Sequence, residues 1–483
     1  MTTNQSSRSD PNDRELRLWK VGRALTLTFA TAVLVAGGVF YGLVMLLDFK
    51  EIDTTAKLDA KTLFDLVKLS FGVVAGAGAL VALVVAYRRQ RVDETGAHRE
   101  ATRLHTERFT TAVSQLGDDS PAVRLGGVHA LAGLADDAPD DNLRQTCIDV
   151  LCAYLQLPFT PDPGTHPTDQ EEHHRYLAFR KVRHTILRLI GDHYRRPCGT
   201  HRSWQGCDLD LTGVTIDGSM NFSGAVFSGG TVDFSSAVFS GGTVLFGDAV
   251  FSGGTVLFGD AVFSGGTVLF GDAAFSGGTV SFTGAVFSGD TVSFGAATFS
   301  GGKVDFNNAT FSGGVVSFNA AKFSGGEVFF GGAVFSGGTV PFNLAMFSRG
   351  TVSFGEATFS GGTVLFGDAA FSGGTVSFTG AVFSGDTVSF GAAIFSGGKV
   401  DFNNATFSGG EVHFSRARFS GGTVSFAGAT FSENVGFVDC LFSGGTVSFW
   451  ESAGPAPIGL LEAVGNPMPA EVHMRHDWLS LIQ

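Results

Sequence analysis

The chain has 483 residues, with 68 Gly, 48 Phe, 5 Cys and a formal charge of −13. Thirteen Pro and 16 % charged residues exclude a Pro-rich or polyelectrolyte disordered chain, and Gly lacks the strict third-position spacing of collagen. Forty-eight Phe beside 5 Tyr and 4 Trp is too skewed for an ordinary globular enzyme and points to an internal repeat.

From the N-terminus, residues 1–23 read as a basic tail, with Arg8, Arg14, Arg17, Lys20 and Arg23. Ala24–Leu47 and Leu69–Tyr87 are runs without a charge, and the second ends at Arg88, Arg89 and Arg91. Their lengths predict a two-helix transmembrane hairpin over 24–91, with the lipid bilayer as partner. The Lys/Arg bias predicts a multi-pass protein of the cell membrane with both termini cytoplasmic, moderated by Lys50, Lys57, Lys61 and Lys68 in the connecting loop. The scattered Cys147, Cys152, Cys198, Cys207 and Cys440 fit reduced thiols rather than a disulfide framework.

Residues 92–206 have apolar residues at helical spacing and read as a small all-α adaptor domain. Phe109, Val113 and Leu116 form one stripe. Ser120 before Pro121 is an N-cap signal for a helix with Val123, Leu125, Val128, Leu131 and Leu134. Asp141 opens a third helix with Ile148, Leu151 and Leu155, and Pro161–Pro167 reads as a loop. A fourth helix over 169–195 places Leu177, Val182, Ile186, Leu189 and Ile190 on its buried side. The run Ala122–Ala135 resembles one helix of a HEAT or armadillo repeat; a small bundle capping the next domain is the other reading. Cys198 and His201 form a pair with no matching second pair, so neither a metal nor any other cofactor is expected.

From Phe222 a rhythm begins in which Phe recurs at separations of five and seven. Eighteen consecutive twelve-residue units, from Phe222 to Phe431, keep both Phe, and 40 of the 48 Phe lie in residues 207–449. Two residues before each Phe sits Val or Ala, as Val244 before Phe246 and Ala249 before Phe251. Alternation along a strand puts each such pair on one face, so Val244, Phe246, Ala249, Phe251, Phe258, Phe263, Phe270 and Phe275 are predicted core. Ser-Gly-Gly supplies a turn. Residues 263–314 and 359–410 are identical except for Thr298 against Ile394, which marks a duplicated block.

Ala-Val-Phe-Ser-Gly and Val-Leu-Phe-Gly-Asp resemble the pentapeptide-repeat family across residues 207–449, beginning with Cys207–Gly218. The order of spans, adaptor and repeat is similar to membrane-anchored actinobacterial members. The resemblance implies an all-β right-handed quadrilateral β-helix, a solenoid with the central Phe stacked inside. The two-residue insertion in every second step departs from the family pattern. Volume favours two units per coil, giving four faces with one Phe each and a rod roughly 45–50 Å long from about ten coils. Residues 450–483 remain as a tail, a cap or a means of dimerisation.

No catalytic constellation stands out, and an enzyme would need a polar cluster outside the repeat, for instance around Arg175 and His184. The expected function is a non-catalytic scaffold or protein-interaction surface for an unidentified protein partner, with a homo-oligomer also open. Residues 207–449 hold 17 Asp/Glu against 6 Lys/Arg, a net of −11, so direct nucleic acid binding is not expected. Asp248, Asp260, Asp272 and Asp368 form a partial acidic column and a candidate interaction face. Acidic members of the family mimic duplex DNA, which implies the alternative: a modulator of a DNA-binding protein such as gyrase.

Overall fold

The computed structural model describes residues 60–159, 170–289, 291–385 and 387–480, with a few positions between 26 and 38. The chain divides into two units, Met1–Leu104 and His105–Gln483. Helix α1 covers Ala60–Leu116.

The expected pair of transmembrane helices is corrected here. Among the described residues, no helix is long and apolar enough to cross a membrane. The run Leu69–Tyr87 is not set off as an element of its own. It lies inside the 57 residues of α1, which start in the stretch predicted as a loop and continue through Arg88, Arg89 and Arg91 into a polar segment. Within the run, Gly76 and Gly78 alternate with Ala75, Ala77 and Ala79. The run Ala24–Leu47 and the loop Pro161–Pro167 lie outside the described residues.

Three further helices complete the helical part of the second unit: α2 (Pro121–Asp136), α3 (Asp141–Gln156) and α4 (Gln170–Tyr194). Pro121 sits in the first turn of α2, where its missing N–H costs nothing, but the Ser120 side chain makes no capping bond. The cap of α3 is Asp140, one residue before the predicted start, accepting from Leu143 N at 2.9 Å. Leu116, Val128, Leu131, Ile148, Leu151, Val182, Ile186 and Ile190 form the buried seam. Leu177 departs from its predicted burial and is 43 % exposed, because α4 enters the core only from Val182 onward.

Through the regular part of the repeat, strand residues pair in parallel with those 24 positions later: Val250 with Ala274, Phe251 with Phe275, Thr255 with Thr279. One coil is therefore two units. The strands form two sheets, of 14 and 15 strands, rather than four separate hydrogen-bonded faces. The reason is local. Strands such as Val262–Leu269 run straight through Ser-Gly-Gly-Thr by way of a bulge, so the inserted pair bends a strand without ending it. At Gly254, φ is +66° and a Cβ would stand 2.7 Å from Gly230 O, so coil stacking itself excludes a side chain there. The other link between strands is a tight turn. Ala249 N donates to Phe246 O at 3.1 Å and Asp248 has φ +57°, a type II turn.

Four columns of Phe fill the tube. Rings 24 residues apart stack face to face, as Phe246 on Phe270 at 4.6 Å and 3°, and two columns meet edge-on, as Phe246 with Phe258 at 6.1 Å and 84°. Both ends of the columns are closed. Tyr194 of α4 packs on Phe222 and Phe227 at 5.8 and 5.5 Å. Beyond the last coil, Trp478 in the short helix α6 (His476–Leu479), which follows α5 (Leu460–Val464), contacts Phe431 and Phe449.

Candidate functional site

The structure places Val244, Phe246, Ala249, Phe251, Phe258, Phe263, Phe270 and Phe275 inside the tube, none more than 3 % exposed. They are packing residues without access to a ligand.

Asp248, Asp260, Asp272 and Asp368 are all exposed, but they do not form one face. Asp248 N donates to Gly271 O and Asp272 N to Gly295 O, whereas Asp260 N donates to Thr283 O in the other series of turns. Asp260 thus lies half a coil away from the column of Asp248, Asp272 and Asp368. Between Asp272 and Asp368 that column holds Ala296, Ala320 and Leu344. All four Asp occupy the positive-φ position of the turn, with φ of 54–58°. Asp tolerates that conformation better than most residues, which accounts for its recurrence without any partner.

The two sheets differ on their outer faces. The first carries charges: Lys322 and Arg418, the pair Lys303–Asp305 at 2.7 Å, and Lys399–Asp401 at 2.8 Å. The second sheet has an outward ladder of only β-branched residues over eight coils. It runs Val238, Val262, Val286, Thr310, Val334, Thr358, Val382 and Thr406, each half-buried. No Asp, Glu, Lys or Arg lies in the strands of this sheet from Val238 to Phe407.

At the other end of the unit, α3 and α4 dock on the first coils. Asp217 accepts from Arg180 Nε at 2.6 Å and pairs with His184 Nε2 at 2.8 Å. Burial pushes the Asp217 carboxyl up, but the hydrogen bonds and charges of His184 and Arg180 outweigh it and hold it well below the usual carboxylate range. The hydroxyl of Tyr194 donates to Cys207 O at 2.7 Å. Asp136 accepts from Trp204 Nε1 at 3.1 Å and pairs with His193 at 3.2 Å.

Beside this docking surface, α2, α3 and α4 enclose a cavity of about 460 Å³. Arg124, Arg175 and Arg183 line it with Tyr154, Phe159, Tyr176, Phe179 and Glu172. Arg175 therefore reaches a cavity, while His184 is committed to Asp217. Sequence reasoning missed Arg124, Tyr154 and Arg183, which stand on three different helices with no motif to join them.

Cys147, Cys152 and Cys440 are buried and Cys198 is exposed. Burial pushes the thiols of Cys147 and Cys207 up to about 11, and those of Cys152 and Cys440 to about 12. Among the described residues, no group of three or more His, Cys, Asp and Glu is arranged to hold a metal ion. A family model for pentapeptide repeats, of nine copies, matches residues 409–453. No curated protein matches the chain.

Proposed function

The chain is a pentapeptide-repeat protein, and from that premise we propose that it acts as a non-catalytic scaffold whose second sheet binds a partner protein. The observation that supports this is the uncharged ladder from Val238 to Thr406. Eight coils repeat one β-branched position at the inter-strand spacing of about 4.8 Å, giving a strip some 34 Å long. Binding to such a strip needs no charge to be desolvated, and the stiff Val and Thr side chains lose little rotamer freedom on contact.

Charge introduced on the strip tests the reading. Val334→Lys has a natural precedent in Lys322, which occupies the matching outward position of the first sheet, so the coil should fold. A photo-crosslinking residue at position 334 of the full chain should yield protein adducts that Thr310→Lys removes. The same residue at position 370, on the first sheet, should yield none. Equal adducts at both positions would sink the proposal.

The acidic reading, with gyrase as target, has weaker support, because the four Asp split between two sides of the coil. Inhibition of supercoiling by the full chain, lost on neutralising Asp248 and Asp272, would reverse that preference.

A further inference from the structure

The cavity of the helical module contains a charge imbalance that the packing does not resolve. Arg183 is 5 % exposed, yet among the described residues its one hydrogen bond runs to Thr215 O at 3.5 Å and no carboxylate forms an ion pair with it. The carboxylate nearest in effect, Asp217, is already engaged by Arg180 and His184. A buried cation in this state carries a desolvation cost that its neighbours only partly offset. The ring of Phe159, 4.8 Å from the guanidinium, is one such offset.

Two more guanidiniums face the same space. Arg124 lies over Phe179 at 4.6 Å, donates from Nη1 to Tyr154 Oη at 3.1 Å and from Nε to the Asp118 carbonyl, so its plane is fixed and the N–H groups of Nη2 remain for the cavity. Arg175 is exposed and has no ionic partner among the described residues. Against these three positive charges the described lining residues offer one carboxylate, Glu172. Among the described residues the cavity is therefore short of about two negative charges. Phe159 and Tyr176, with ring centroids 5.2 Å apart, form an apolar wall beside the guanidiniums.

We propose that this cavity, walled by Arg124, Arg175 and Arg183, binds a small phosphate monoester whose organic part rests on Phe159 and Tyr176. A monoester carries a charge near −2 at neutral pH and has three acceptor oxygens, which match the deficit and the number of guanidinium forks. The volume of about 460 Å³ exceeds what a phosphate group alone would fill and leaves room for a ring. This site is separate from the strip of the second sheet, and the two readings stand or fall independently.

Calorimetric titration of the full chain with phenyl phosphate, inorganic phosphate and a phosphotyrosine peptide tests it. Phenyl phosphate should bind one to one and more tightly than inorganic phosphate. Arg175→Glu, an exposed change, should weaken binding about tenfold or more, the loss expected for a charge-assisted hydrogen bond. Arg183→Met should abolish binding while leaving thermal stability equal or higher, since it removes an unpaired buried charge. A purely structural Arg183 would instead lower stability. The proposal is overturned if phenyl phosphate does not bind, if affinity survives both substitutions, or if the peptide binds more tightly than phenyl phosphate.

Discussion

Gly191 of α4 packs so closely on Asn221 of the first coils that a Cβ at position 191 would overlap the Asn221 carbonyl oxygen. The helix thus meets the repeat backbone to backbone, and only Gly permits it. Gly191→Ala should push α4 off the coil and cost about 1–3 kcal/mol, the usual penalty of overpacking. Denaturant unfolding of the variant checks this. An unchanged midpoint would mean the contact contributes nothing.

Arg180, His184 and Asp217 give the same junction a pH dependence. The Asp217 carboxyl titrates lower in the folded chain than its unfolded value of about 3.9. Its contribution to stability is therefore complete above pH 4 and is lost as pH falls through the lower, folded value. Wild type should melt higher than Asp217→Asn at pH 5, and the difference should shrink as pH falls below 4. A gap that does not narrow between pH 5 and pH 2.5 would argue against this origin.

The inward positions of the repeat were legible because every unit restates them, and alternation along a strand leaves one choice of face. The outward chemistry was harder to read. Asp248 and Asp260 look alike in sequence, twelve residues apart, but a coil of 24 residues sets them on different sides. Their recurrence reflects turn geometry, which composition reports as acidity. The uncharged run Leu69–Tyr87 misled for a related reason: absence of charge was legible, but its fusion into the longer, polar helix α1 was not. Arg124, Tyr154 and Arg183 converge only because three helices pack together, a long-range effect that local spacing does not encode.

Leu344 shows how far the turn tolerates a poor residue. Its φ is +59° and its side chain is 62 % exposed, so it bears the strain of a left-handed conformation with no packing in return. Gly332 and Gly284 occupy the equivalent turn position elsewhere. Leu344→Gly should stabilise the rod by about 0.5–1 kcal/mol, the relief of strain exceeding the added entropy of the unfolded chain. The hydrogen bond from residue 344 N to Gly367 O at 2.9 Å is kept by either residue. A lower melting temperature would contradict the account.

The thiols offer a test of the whole unit. Cys198 alone is exposed, whereas Cys147, Cys152 and Cys440 are buried with thiols too weakly acidic to react near neutral pH. A thiol reagent should label Cys198 first in the native chain, with Cys147, Cys152 and Cys440 following only on unfolding. Rapid labelling of Cys440 would show that the last coils open.

Phe318 tests the cooperativity of the ring columns. It stacks on Phe294 at 4.9 Å and Phe342 at 4.6 Å, and meets Phe306 and Phe330 edge-on at 5.8 and 5.7 Å. Removing one ring therefore exposes four others to a cavity, and Phe318→Ala should cost about 3–5 kcal/mol. In a stacked array each coil contacts only its neighbours, so the loss need not unfold the whole rod at once. The expected signature is faster hydrogen exchange centred on the coil of Phe318, with the ends held by Tyr194 and Trp478 less affected. Exchange that accelerates equally from Phe222 to Phe449 would instead mean that the coils unfold as a single unit.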